Sequence, residues 1–137
     1  MASIYQSALD AFLDEIILGA KDEGTDLNTA KLHLLKNEVT SYDDFTNDPS
    51  VIVGTADVTN ITGPADGTNG ARKITVSTAQ GLITIANAGT ANATHYALVE
   101  TSDSRLIAVS RISNSASVTD GNNFNLDDFD ITINQPS

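Results

Sequence analysis

His33 and His95 are the first residues in this 137-residue chain to test for acid–base chemistry, because imidazole is the side chain that changes charge near neutral pH. Both fall in stretches of strand character. Neither has a catalytic or metal-ligating partner at a fixed spacing nearby, so both read as structural or surface histidines. Serine and threonine are plentiful, yet there is no G-x-S-x-G elbow, no S-x-x-K with plausible partners, and no Walker or G-x-G-x-x-G loop. The hydroxyls suit turns and strand faces. Asp43, Asp44 and Asp48 in one segment, and Asp127, Asp128 and Asp130 in another, offer the hard oxygen ligands that calcium prefers. Their spacing matches no EF-hand. Asp128 and Asp130 alternate on one strand face and repel unless a cation, Lys or Arg lies between them. Solvated loop carboxylates are the simpler reading, and no cofactor or metal is expected. A paired-carboxylate glycosidase needs aromatic platforms, whereas this chain has no Trp, three Tyr and four Phe. The absence of cysteine removes thiol catalysis, zinc–thiolate sites and disulfides. The expectation is a non-enzymatic protein whose role lies in its surfaces.

The elements that carry those surfaces centre on Ala93 to Ile112, ATHYALVE–TSDS–RLIAVSRI, which reads as an antiparallel hairpin turning at Thr101–Ser104. In the first arm Tyr96 and Leu98 point one way and Ala93, His95, Ala97 and Val99 the other. In the second, Leu106, Ala108 and Ile112 oppose Ile107 and Val109, with Arg105 and Arg111 sharing the latter set. Apolar atoms on both faces mark a central strand pair. Ile4, Ala8, Leu9, Phe12, Leu13, Ile16 and Ile17 form a helical stripe over Ile4 to Ala20. Ser3 and Gln6 fit a capping box and Gly19 a stop. This stripe must pack, either on the chain's own β body or on a neighbouring subunit.

A first strand is expected over Ala30–Lys36, followed by an acidic loop over Asn37–Ser50 pinned by Tyr42 and Phe45. A second strand begins at Val51 and extends towards Val58, and Gly63–Gly70 reads as a loop. Ala71–Ser77 and Gly81–Ala86 read as a hairpin. Ser113–Ser117 is a polar interruption before Val118 and Thr119, Asp120–Asn122 a turn, and Phe124–Ile133 the last strand. Seven or eight strands with turn signals about every ten residues indicate a sandwich or barrel. One domain is expected over 1–137, with the helix within 1–20 and the β body within 30–134.

Eighteen Asp and Glu against seven Lys and Arg give a net charge of -11, the wrong sign for neutralising phosphates, so no nucleic acid and no anionic membrane is expected as partner. The apolar stretch Ile16–Ala20 is too short to span a bilayer, and no basic region precedes an apolar one at the N-terminus. A soluble protein without secretory signal is the expectation.

Leu27–Leu35 after the opening helix, and the tail ATHYALVETSDSRLIAVSRIS with SVTDGNNFNLDDFDITIN, resemble the small virion structural proteins of tailed bacteriophages. The resemblance rests on Tyr96, Leu106, Val118, Thr119, Gly121, Ile131, Thr132 and Ile133. It implies a mainly β, sandwich- or jelly-roll-like protein that decorates or cements the head shell, located at the capsid surface with the major capsid protein as partner. Partner contacts are expected from the helix stripe, Ile4, Leu9, Phe12, Leu13 and Ile16, and from Asp43, Asp44 and Asp48. A tail or neck adaptor or fibre-like component and a carbohydrate-binding sandwich are the alternatives, and exposed strand edges and helix also permit self-association into a homo-oligomer.

Overall fold

Alternation places Leu32 and Leu34 on one face of a strand and His33 and Leu35 on the other, and all four are buried. The β body is arranged about this doubly covered strand. The computed structural model describes residues 5–21, 27, 29–78, 81–86 and 89–135. In chain order the elements are α1 (Gln6–Ala20), β1 (Ala30–Leu35), α2 (Asp43–Asn47), β2 (Ile52–Asp66), β3 (Arg72–Thr78), β4 (Leu82–Ile85), β5 (Thr90–Glu100), β6 (Arg105–Thr119), β7 (Asn123–Asn125) and β8 (Phe129–Ile133). All strand pairs are antiparallel, in the order β6-β5-β1-β2-β3-β8, with β4 on β2 and β7 on β4. The mainly β class, the eight antiparallel strands and the N-terminal helix are as expected. The strands belong to one curled sheet, and the curl brings β8 back over β5, with the Phe129 and Tyr96 ring centroids 4.8 Å apart.

Strand β2 is longer than expected and explains two departures. It runs through Gly63–Pro64, where its register with β3 skips between Thr62 and Ala65, so the first half of the Gly-rich stretch is bulged strand and its end, Thr68–Gly70, a 3₁₀ turn. Its outer half pairs with β3 while its first half pairs with β1 on one side and β4 on the other. β3 and β4 therefore pair successively along β2 and form no hairpin with each other; β3 instead takes β8, and β4 takes β7. Gly54 permits the approach of β4, since a Cβ there would sit 2.8 Å from the Thr84 carbonyl oxygen. β6 continues through Ser113–Ser117 with those side chains largely in water, and the last expected strand is split into β7 and β8.

The interior of the curl holds Leu32, Leu34, Val53, Val58, Val76, Ile83, Ile85, Ala93 and Leu98. On the other face, Leu35, Ala97 and Val99 are covered by Val39, Phe45 and Val51 from the segment after β1. Phe45 meets His33 and Tyr42 edge-on at 5.3 and 5.6 Å, so the acidic loop is pinned by its aromatics as expected, with one short helix inside it. Two bulges revise the side-chain directions. Between β5 and β6 the register shifts at Leu98/Val99 and again at Ala93/His95. Ala93 consequently shares the inner cluster with Tyr96 and Leu98, and Leu106 joins Val109 in the outer one.

α1 packs on the chain's own β body, touching β2 and β3 on one wall and β5 and β6 on the other. Leu9, Leu13 and Ala20 are fully buried, and each such leucine contributes roughly 1.5–3 kcal/mol by leaving water. Asp10 receives a two-pronged bond from Arg72 of β3, at 2.6 Å to Nε and 3.1 Å to Nη2, and Arg72 also reaches Asp66. The helix runs through Gly19 to Ala20. The expected cap at Ser3 and the stripe residue Ile4 lie outside the described residues.

The β5–β6 turn is held by a buried carboxylate. Glu100 accepts the Thr29 hydroxyl and the backbone N–H groups of Ser102 and Asp103, at 2.7 and 2.8 Å for the last two. Burial pushes its pKa up, but these hydrogen bonds outweigh it and hold the carboxyl below the usual range. Replacing Glu100 by Gln swaps one acceptor oxygen for a donor facing donors. Urea unfolding should show a loss of roughly 1–3 kcal/mol for that variant. Leu13→Ala should cost roughly 2–5 kcal/mol in the same measurement, because the helix cannot collapse onto a rigid curled sheet.

Candidate functional site

Burial of Leu9 and Leu13 turns the neighbouring flank of α1 outward. Ala8 and Phe12, four apart, share that flank and are exposed, Phe12 at 61%, and Tyr5, the extended N-cap residue before the first turn, is 85% exposed. Leu18 is exposed on another side of the helix. Two of the four large exposed hydrophobic side chains among the described residues thus belong to this helix and a third, Tyr5, to its N-cap, the fourth being Leu82. The residues expected to meet a partner are divided by this arrangement. Leu9 and Leu13 hold the helix to the sheet and present nothing outward, Ile16 is half-buried, and Phe12 is free to touch another molecule.

The acidic loop divides similarly. Asp44 turns back to accept the backbone N–H groups of Thr40 and Ser41, at 2.8 and 3.2 Å, which holds its carboxyl below the usual range. Asp48 accepts the backbone N–H and the hydroxyl of Ser50 and so opens the following 3₁₀ turn. Asp43 is exposed. In the second acidic segment, Asp130 lies opposite Thr75 on β3 and accepts Lys73 Nζ at 2.9 Å and the Thr75 hydroxyl at 2.6 Å, which keeps its pKa low. The chain's own lysine is the counter-charge that this carboxylate requires. Among the described residues, no three His, Cys, Asp or Glu side chains converge as metal ligands.

His33 is enclosed by Phe45 and Thr55, its Nδ1 3.0 Å from the Thr55 hydroxyl. Burial, helped by the charge of Lys31, lowers its pKa from 6.5 to about 4. It is a neutral packing group at physiological pH. His95 lies across the β5–β6 ladder from Arg111, and both line a groove of about 330 Å³ with Glu38 and Ser110. Sequence reasoning missed this pairing. A hairpin without the bulge at Ile107 would set His95 against Ser110, one residue earlier. His95 Nδ1 is 2.8 Å from the Thr94 hydroxyl, and among the described residues no hydrogen bond joins His95 to Ser110. The arrangement that activates a serine nucleophile is not assembled there. A second groove, of about 550 Å³ between the Pro49–Ser50 turn and β2 and β4, is lined by Ile52, Gly54, Thr55, Thr84 and Ala86 and carries no titratable side chain.

No family model matches the chain, and comparisons with curated proteins and with solved structures return no match.

His33 gives the structure a defined acid sensitivity. The unfolded chain takes up a proton near pH 6.5 and the folded chain only near pH 4, so stability is complete above 6.5 and is lost as pH falls between those values. That gap corresponds to on the order of 3 kcal/mol. Urea midpoints between pH 7 and 4 should fall accordingly for the wild type and stay flatter for His33→Gln. A His33 ring titrating by NMR near pH 6.5 would contradict its enclosure.

Proposed function

We propose that this chain is a non-enzymatic structural component of a tailed-phage virion that decorates or cements the head shell. What carries this reading is the exposed apolar group at the start of α1, Ala8 and Phe12 on the flank that Leu9 and Leu13 turn outward by anchoring the helix inward, with Tyr5 at the N-cap beside them. Aromatic anchors standing on a rigid scaffold lose little side-chain freedom when they enter a recess, and such residues dominate binding at interfaces. The net charge of -11 favours a shell surface bearing Lys or Arg, and it supplies steering more than affinity. The sheet-covering segment adds exposed Asp43 to the same acidic surface. Binding the assembled shell in preference to free subunits stabilises the shell by mass action, and lattice multiplicity raises the avidity of each modest contact.

Because α1 is part of the core, removing it would unfold the protein, so the test uses substitutions of exposed side chains at its start. Purified protein is cosedimented with emptied, undecorated capsids at low and moderate salt, and the pellet is viewed by electron microscopy. The expected result is saturable occupancy at regular lattice positions. The double variant Tyr5→Ser/Phe12→Ser should weaken this by an order of magnitude or more, with an unchanged melting temperature. Absence of binding to capsids would overturn the head-shell reading in favour of the neck or tail.

A further inference from the structure

We propose that the ends of the six-strand path of the curled sheet, β6 and β8, form a surface on which the chain binds a second copy of itself, β6 of each protomer lying against β8 of the other. Among the described residues β6 pairs only with β5 and β8 only with β3. Each therefore presents an outer row of backbone N–H and C=O groups without a strand partner, the feature that templates pairing with another chain. The two edges lie side by side in one molecule. Ala108 and Ser110 of β6 and Phe129 and Ile131 of β8 line a cleft of about 200 Å³, together with Tyr96.

Charge selects the partner. From Ser104 to Thr119 the chain carries Arg105 and Arg111 and no acid, whereas residues 127–133 carry Asp127, Asp128 and Asp130 and no base. Pairing β6 with β6 would oppose arginines, and pairing β8 with β8 would oppose aspartates; β6 against β8 opposes unlike charges. Arg105 is held by Asp103, and Asp130 by Lys73, within the chain. Arg111, Asp127 and Asp128 are exposed and supply the intermolecular contacts.

Strand polarity and register agree with this pairing. Five antiparallel steps separate β6 from β8 along the sheet, so the two run in opposite directions. An antiparallel alignment that sets Ala108 against Ile131 and Ser110 against Phe129 brings Arg111 to Asp128. A twofold axis parallel to the strands forms both ladders at once and covers the Tyr96–Phe129 cleft in each copy, a closed isologous dimer. This interface does not depend on the virion reading.

The test is sedimentation velocity on the full chain from micromolar to millimolar concentration, without capsids. The expected result is a monomer–dimer equilibrium that weakens with added salt. Arg111→Glu and Asp128→Arg, both at exposed positions and checked for fold by circular dichroism, should each raise the dissociation constant about tenfold or more. An equimolar mixture of the two variants should restore wild-type dimerisation, because each β6 then again faces a β8 of opposite charge. A monomer at every concentration, a dimer insensitive to both substitutions, or a mixture no tighter than the separate variants would overturn the proposal.

Discussion

The structure depends on covering both faces of the β1–β5 pair. An antiparallel pair with one wet face would be an ordinary surface hairpin; here Leu32, Leu34 and Leu98 form the inside of the curl while Leu35, Ala97 and Val99 need a second cover. The inner face obtains its cover by curling the sheet until β3 and β8 close over it. The outer face obtains it from the segment after β1, which folds down as Val39, Phe45 and Val51. Both solutions have electrostatic consequences. Covering the outer face places His33 out of water and keeps it neutral, and it requires the acidic segment to tie its own carboxylates into caps at Asp44 and Asp48.

The strong acidity of the chain is organised, not spread evenly. Among the described residues, Lys31, Arg72, Lys73 and Arg105 are paired with carboxylates inside the same chain. Each pair joins separate elements or braces a turn: Arg72 fixes the helix to β3, Lys73 fixes β3 to β8, and Lys31 fixes β1 to β2. The exposed pairs among them contribute little stability each, so their effect is chiefly to set which elements meet, while Arg72–Asp10 is partly buried. Among the described residues Asp14, Glu15, Glu38, Asp43, Asp127 and Asp128 are exposed and give the surface its sign. Its exposed large apolar side chains among the described residues are concentrated at α1, Phe12 and Leu18 within it and Tyr5 at its N-cap.

Much of the fold was legible in the amino-acid order. Period-two alternation marked β1, β3, β5 and β8, the 3–4 spacing marked α1, and Thr101–Ser104 and Asp120–Asn122 marked turns, because these features are local consequences of side-chain geometry. Tyr42 and Phe45 announced a pinned loop, since aromatic residues in a polar segment have few other uses. The helix stripe was also visible, but not its division into a buried and an exposed part. Leu9 and Phe12 look alike in a sequence, and only the wall they meet assigns them different roles.

The sequence by itself thus determined that the chain is mainly β with one amphipathic helix, that its surface is acidic, and that no thiol or disulfide chemistry is open to it. Tertiary structure decided the pairings. β3 and β4 took different partners because β2 is long enough to serve both, and its length rests on a bulge at Gly63–Pro64 that composition alone presents as a loop. His95 met Arg111 because one extra residue at Ile107 shifts the ladder. A bulge is selected by the closure of the whole sheet, whose energy is shared among distant residues, so nothing within a short window of sequence records it.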